Sequence, residues 1–127
     1  MSTFEAFNRG KLWIKSQLID LSSIPWSKHP CFKGVELKNL ITAEQTQNVF
    51  SYHLVRIAPE HKIGLHEHEQ QTETHEIIAG SGYCIVQANK LIYKPGTISV
   101  LPSGVLHEVI ASKEGLYLFA KFFTTLN

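Results

Sequence analysis

The sequence predicts an all-β protein, either a sandwich or a barrel, and two observations support this fold class. Beyond residue 40, no segment of helical length has apolar residues at the 3.6-residue period of a helix. Short apolar runs instead alternate with turn residues such as Lys94-Pro95-Gly96 and Pro102-Ser103-Gly104, where proline and glycine interrupt a strand. Many short strands at this spacing are typical of sandwiches and barrels rather than of alternating strands and helices.

The predicted strands are runs rich in aromatic and β-branched residues. They are Phe50–Ile57, Glu73–Ile78, Gly82–Val86, Leu91–Tyr93, Ile98–Leu101 and Leu116–Phe123. Side chains alternate along a strand, so His53 would share one face with Val55 and Ile57. A hairpin turn is expected at Asn89, which lies between two of the runs.

The first 34 residues differ from the rest and are predicted to form a short irregular extension. Ser2 and Glu5 have the spacing of a capping box, so the chain begins either with a short helix or with a frayed end. Two short extended segments follow, Leu12–Ile14 and Leu18–Leu21. We therefore predict an N-terminal extension, residues 1–34, and a β domain, residues 35–127.

Length and charge narrow the classes of function. A chain of 127 residues is the size of one domain and can bury a core of its own. Twelve basic and eleven acidic side chains give a net charge of +1, so we expect neither nucleic acid nor a membrane as partner. The N-terminus lacks the pattern of a secretory signal, and Cys31 and Cys84 are predicted to be free thiols. Together these features predict a cytoplasmic location.

The histidines are the most informative residues of the sequence. Of the seven, His66 and His68 are two residues apart, a spacing that points both side chains to one face of a strand. Glu73 follows shortly after them, and His107 follows the turn at residues 102–104. Three imidazoles and one carboxylate suit a divalent first-row metal and leave coordination positions open. His29 and His61 are expected to be exposed.

These residues lie in two segments that resemble the two sequence motifs of the cupins. The first motif is HxH, three or four residues, Glu, six residues and Gly, and it is matched by His66, His68, Glu73 and Gly80. The second is Gly, five residues, Pro, one residue, Gly, two residues and His, and it is matched by Gly96, Pro102, Gly104 and His107. Glu60 and Ala111 depart from a glycine and an asparagine usual in the family, and neither position is a metal ligand in its pattern.

The resemblance implies a double-stranded β-helix, which is the jelly-roll or RmlC-like cupin barrel, with a metal at the floor of a ligand cavity. The implied ligands are His66, His68, Glu73 and His107. Their mixed nitrogen and oxygen donors suit one divalent ion of Fe, Mn, Ni, Zn or Cu. His75 or Gln71 is the alternative to Glu73 as a ligand. The resemblance also implies a homodimer, with the extension packed on the barrel or across the partner.

Two functions are compatible with such a site, and both predict a small-molecule partner. The first is a metal-dependent enzyme acting on a small organic molecule, either dioxygenase-like or an isomerase or decarboxylase. His75 or Glu76 would then handle protons, since imidazole titrates near neutral pH. His75 could equally line the pocket without chemistry or hold a ligand in place. The second function is a non-catalytic barrel that binds or senses a small molecule.

Overall fold

The computed structural model describes residues 1–125, so the last two residues of the predicted domain 35–127 lie outside the described part of the chain. Within these 125 residues, one α-helix, α1 (Thr3–Asn8), and two 3-10 helices, Leu21–Ser23 and Glu44–Thr46, accompany ten strands. The strands are β1 (Lys11–Ile14), β2 (Gln17–Asp20), β3 (Ser27–Lys28), β4 (Val35–Ile41), β5 (Phe50–Ile57), β6 (Lys62–His66), β7 (Gln71–Val86), β8 (Asn89–Tyr93), β9 (Ile98–Leu101) and β10 (His107–Thr124).

The N-terminal elements form where local sequence favours them. Ser2 caps α1, because its Oγ accepts a hydrogen bond from the amide of Glu5 at 3.1 Å. The two predicted extended segments pair as the antiparallel hairpin β1–β2, and Lys15 and Ser16 take the positive φ angles that suit its tight turn. No helix in residues 1–125 is both long enough and apolar enough to span a membrane.

Two long strands, β7 and β10, organise the remaining sheet, in which all pairs are antiparallel. Their first and second halves pair with different neighbours. Residues 116–123 of β10 pair with β5 and residues 107–110 with β6, while residues 73–76 of β7 pair with β9 and residues 82–86 with β8. Each long strand therefore takes part in two facing layers, which is the jelly-roll arrangement.

The predicted fold class is confirmed, but the predicted barrel is not closed. In residues 1–125 the hydrogen-bonded path runs β3-β4-β5-β10-β7-β8, with β6 branching from β10 and β9 from β7, and its ends do not pair. The register of the β7–β10 pair shifts between Ala111 and Leu116 and again after Tyr117. These irregularities bend the long strands from one layer into the other, so the layers join through them rather than through a continuous ring.

The bend also explains one difference from the sequence prediction. Glu73–Ile78 and Gly82–Val86 were predicted as separate strands, yet both belong to β7. Gly80 lies between them with a φ of 74°, which glycine adopts without strain, so it bends the strand instead of ending it. Two predicted strands, Phe50–Ile57 and Ile98–Leu101, have the predicted bounds.

Apolar side chains fill the space between the layers and the space beneath the extension. The larger cluster lies between the layers and includes Val55, Ile77, Val109 and Leu118. The smaller cluster joins Phe4 and Leu21 of the extension to Leu40 and Leu54 of the sheet. The extension therefore contacts the sheet through an apolar cluster of its own.

Lys38 gives the extension a polar contact with the sheet. Its side chain is only 2% exposed, and burial lowers the pKa of its ammonium group. The ammonium donates to the carbonyl oxygen of Asn8 at 2.6 Å and to its Oδ1 at 2.7 Å. A buried ammonium requires such acceptors, so α1 and β4 are joined at this point.

We expect Gly80→Ala to destabilise the fold much more than Gly96→Ala. Both glycines have positive φ, for which alanine costs about 1–2 kcal/mol. A Cβ at Gly80 would also overlap the carbonyl oxygen of Gly115, whereas a Cβ at Gly96 would meet nothing within 4 Å. The overlap should add roughly 1–3 kcal/mol of destabilisation. Urea unfolding of both variants measures the difference, and equal losses would contradict the proposed bend.

Candidate metal centre

Three residues of strands β6, β7 and β10 and one residue of the segment between β6 and β7 form one cluster. His66 ends β6, Glu73 lies near the start of β7 and His107 begins β10, where it pairs with His66 in the ladder. His68 lies in the segment between β6 and β7. One ligand atom from each of the four residues can be chosen so that all lie within 4.8 Å of one another. The structure thus brings together the four residues that the sequence predicts as ligands.

Backbone carbonyl groups orient two of the imidazoles. The Nδ1–H of His66 donates to the carbonyl oxygen of Gly64 at 2.7 Å, and the Nδ1–H of His107 donates to that of Val105 at 3.0 Å. A carbonyl oxygen can only accept, so each neutral ring keeps its lone pair on Nε2. Hydrogen bonds of this kind fix the ring and the tautomer of metal-binding histidines.

The carboxylate of Glu73 is buried, at 5% exposure, and its two oxygens have different partners. Oε1 lies 3.0 Å from Nε2 of His107 and 3.5 Å from Nε2 of His68, whereas Oε2 accepts from Nε2 of His75 at 2.8 Å. Burial raises the pKa of Glu73, but hydrogen bonds from His107 and His75 and the attraction to their charges together outweigh burial and hold the pKa well below its usual range. Glu73 is therefore an ionised carboxylate.

The contact between His107 and Glu73 requires a positive charge. With Nδ1–H directed at Val105, a neutral His107 would face the Oε1 lone pairs with its own lone pair at 3.0 Å. In the protein without metal, His107 therefore carries a proton on Nε2 as well and donates it to Oε1 of Glu73. Burial lowers the pKa of His107, but the hydrogen bond to Glu73, the hydrogen bond to Val105 and the attraction to the Glu73 charge together outweigh burial and raise the pKa above its usual value. A divalent cation could replace that proton, so the donor set fits a metal.

His66 and His68 are ready to act as neutral donors. Burial is the main cause that lowers the pKa of each imidazole, and the neighbouring His107 lowers it further. Both rings are therefore neutral at pH 7, the state in which imidazole binds metals.

The other residues named by the sequence prediction occupy different positions. His75 is buried next to Glu73, and both of its ring nitrogens are hydrogen-bonded, to Glu73 and to the hydroxyl of Tyr93. Glu76 is not brought to the cluster, because it lies on the opposite face of β7 and accepts from Lys121 at 2.7 and 2.9 Å. Gln71 lines a separate cavity together with Ser51 and other residues.

A cavity of about 180 Å³ opens beside the cluster. Half of its lining is apolar, namely Leu37, Val55, Ile63, Leu118, Ala120 and Phe122. None of the described residues that line it is a lysine, an arginine or an aspartate. A larger cavity, of about 580 Å³, lies next to α1 and contains none of the clustered residues.

Two further histidines line the cavity, and the sequence prediction missed one of them. His53 lines the cavity together with Val55, with which it was predicted to share a strand face, and its Nδ1 lies 2.8 Å from Oδ1 of Asn39 and its Nε2 3.0 Å from Oγ of Ser51. His29 was expected to be exposed but lines the cavity. Its Nδ1 accepts hydrogen bonds from the amides of Cys31 and Phe32, so its proton must lie on Nε2. Only the fold of the extension brings it there.

We expect Glu73→Gln to lower the pKa of His107 in the metal-free protein. The substitution removes the charge that raises this pKa and leaves burial, which lowers it. Glu76→Gln is the matched control, because Glu76 lies on the opposite face of β7. Proton NMR titration of the imidazole measures both variants. An unchanged pKa in Glu73→Gln would show that the two groups are not coupled.

Solved structures share this fold. A predicted oxalate decarboxylase from Thermotoga maritima has a TM-score of 0.75 and 23% identity, and the match covers 82% of this chain and 96% of that chain. An RmlC-like cupin from Shewanella frigidimarina has a TM-score of 0.69 and 12% identity, with coverage of 82% and 86%. A variant of oxalate decarboxylase from Bacillus subtilis has a TM-score of 0.67 and 21% identity, with coverage of 81% and 28%. Identities this low show the fold alone.

The sequence itself matches a family model, although it matches no curated protein. The model describes the cupin domain and matches residues 53–119, more than half of the chain. The matched segment contains all four clustered residues and both sequence motifs. The chain therefore belongs to the cupin family.

Proposed function

We propose that this cupin is a metal-dependent enzyme that acts on a small organic molecule, with one divalent ion held by His66, His68, Glu73 and His107. The observation that carries the proposal is the convergence of three imidazoles and one ionised carboxylate beside a small cavity. Four protein donors leave one or two positions open on a five- or six-coordinate ion. An ion there would supply Lewis-acid or redox chemistry to a bound molecule.

The cavity constrains the class of substrate. Its 180 Å³ is smaller than the roughly 300–1,000 Å³ of sites for drug-sized ligands, so a molecule of few heavy atoms fits. A divalent ion with one ionised carboxylate and neutral imidazoles carries one net positive charge, which one anionic group on the substrate would balance. The apolar wall formed by Leu37, Val55 and Leu118 suits a hydrocarbon portion. We therefore propose a small monoanion with an apolar part.

Decarboxylation of oxalate fits this cavity less well. Two structural neighbours are named as oxalate decarboxylases, one of them predicted. Oxalate is a dianion without an apolar part, and among the described lining residues no lysine or arginine would balance its second charge. A dioxygenase-like reaction, or isomerisation or decarboxylation of a monoanion, agrees better with the side chains present.

A non-catalytic binding barrel is the second candidate, and one observation favours it. His75 and His53 both have each ring nitrogen hydrogen-bonded within the protein, so neither offers an unengaged nitrogen for proton transfer. Small monoanions that raise the melting temperature without turnover or oxygen uptake would support binding alone.

We expect protein purified without a metal-affinity tag to contain close to one divalent ion per chain. His66→Ala and His107→Ala should each abolish this content, because each removes a donor from the cluster. His61→Ala is the control, since His61 hydrogen-bonds to the carbonyl oxygen of Pro59 and lies outside the cluster. Inductively coupled plasma mass spectrometry measures the metal. A wild-type protein that stays empty after reconstitution with each candidate ion would contradict the proposal.

We expect butanoate to bind the metal-loaded protein more tightly than succinate. The two have the same chain length, but succinate carries a second carboxylate where butanoate has a methyl group. That carboxylate would meet the apolar wall of the cavity. Thermal shifts measure the binding of both anions. A ligand concentration of 100 times the Kd should stabilise the folded protein by about 2.7 kcal/mol. The metal-free His66→Ala variant is the control, and equal or tighter binding of succinate contradicts the monoanion class.

We also propose a homodimer formed through the extension. Trp13 and Leu18 face each other across the β1–β2 hairpin and are 68% and 63% exposed. Large apolar side chains that lie together on a surface are typical of interfaces. Light scattering should give twice the mass of one chain, and the mass of a single chain would contradict the dimer.

A further inference from the structure

A row of buried polar side chains extends from the second carboxylate oxygen of Glu73. Oε2 of Glu73 accepts from Nε2 of His75 at 2.8 Å, and Nδ1 of His75 lies 2.8 Å from the hydroxyl oxygen of Tyr93. That hydroxyl lies 2.6 Å from Oγ of Ser99. All four residues are buried, so water does not compete for these hydrogen bonds.

Backbone pairing holds this row in place. Glu73 and His75 share one face of β7, and Ser99 of β9 is the cross-strand partner of His75. Tyr93 ends the neighbouring strand β8 and reaches between them. The row therefore joins three strands whose register is fixed by main-chain hydrogen bonds.

The hydrogen bonds define a direction for the protons. Ionised Glu73 can only accept, so the proton of a neutral His75 lies on Nε2. Nδ1 must then accept, and the Tyr93 hydroxyl is its donor. Burial raises the pKa of Tyr93, so the hydroxyl keeps its proton, and the Ser99 hydroxyl donates to the oxygen of Tyr93. Each donor in the row meets one acceptor.

We infer that His75, Tyr93 and Ser99 are positioning residues that hold Glu73 in one orientation, with Oε2 occupied and Oε1 alone facing His68 and His107. The inference rests on the proposed metal function. His75 is 1% exposed and both its ring nitrogens are engaged, so it acts through Glu73 rather than on a substrate.

The fixed orientation of Glu73 determines how many coordination positions stay open at the metal. A carboxylate can offer a metal one oxygen or two. A hydrogen bond from His75 occupies Oε2, so Glu73 offers only Oε1 and takes one position. The position that a second oxygen would take stays open for a small molecule from the cavity. Partners of this kind also maintain affinity, and their loss typically weakens metal binding about 10- to 100-fold.

Tyr93→Phe tests this inference, because it removes the hydroxyl and keeps the ring. We expect the Kd for Zn²⁺, measured by competition with a chelating dye, to rise about 10- to 100-fold. Ser99→Ala should cause a smaller rise, since the Ser99 hydroxyl is hydrogen-bonded to Tyr93 and not to the imidazole of His75. Tyr83→Phe is the matched control, because its ring packs against Lys90 instead. A folded Tyr93→Phe with wild-type Zn²⁺ affinity overturns the inference, even if its melting temperature falls. Should Tyr93→Phe not fold, an unchanged Kd in Ser99→Ala overturns it.

A second measurement does not depend on metal. Nitrogen-15 NMR of the metal-free wild type should show His75 with a proton on Nε2, the nitrogen that faces Glu73. The opposite tautomer overturns the inference, whatever the metal affinity is. If the wild type binds no metal, the proposed function fails, and the tautomer still decides for or against the row of positioning residues.

Discussion

The burial of one carboxylate, that of Glu73, is the constraint on which the site depends. An ionised carboxylate in an apolar interior is costly unless cations or hydrogen-bond donors surround it. His75 supplies a donor to one oxygen, and the other oxygen faces His68 and His107. The protonated His107 meets this need in the metal-free protein, and a divalent ion would meet it in the loaded one. The cluster is therefore built around a negative charge that requires a positive partner.

The two long strands explain how residues distant in sequence reach that carboxylate. Glu73 lies near the start of β7 and His107 at the start of β10, so in the antiparallel ladder of the two strands they lie at opposite ends, paired with Phe122 and Val86 respectively. Because the strands bend rather than end, they carry the ladder from one layer into the other. The ligands lie at one end of the space between the layers, where a cavity remains next to the core. Fold and site are thus consequences of the same two strands.

The sequence predicts the features that follow from local patterns or from the two cupin motifs. It misses the contacts that depend on tertiary packing. The spacing of His66, His68 and Glu73, together with the second motif at His107, predicts the cluster. His29 was expected to be exposed, and it reaches the cavity only because the extension folds back. Tyr93 and Ser99 are remote from Glu73 in sequence and carry no motif, so their contact with His75 follows from strand register. The open form of the sheet in residues 1–125 likewise depends on irregular strand register, which no local pattern reveals.

The contact between Lys38 and Asn8 has a consequence for how the chain unfolds. If the first eight residues left the sheet, the ammonium of Lys38 would lose both acceptors, and the apolar cluster of Leu21, Leu40 and Leu54 would lose Phe4. Partial detachment of the N-terminus is therefore unfavourable, and the end of the chain is bound to β4 by more than apolar contact. We expect the amide protons of α1 and β4 to exchange with solvent in a single cooperative opening, and not by fraying from the terminus.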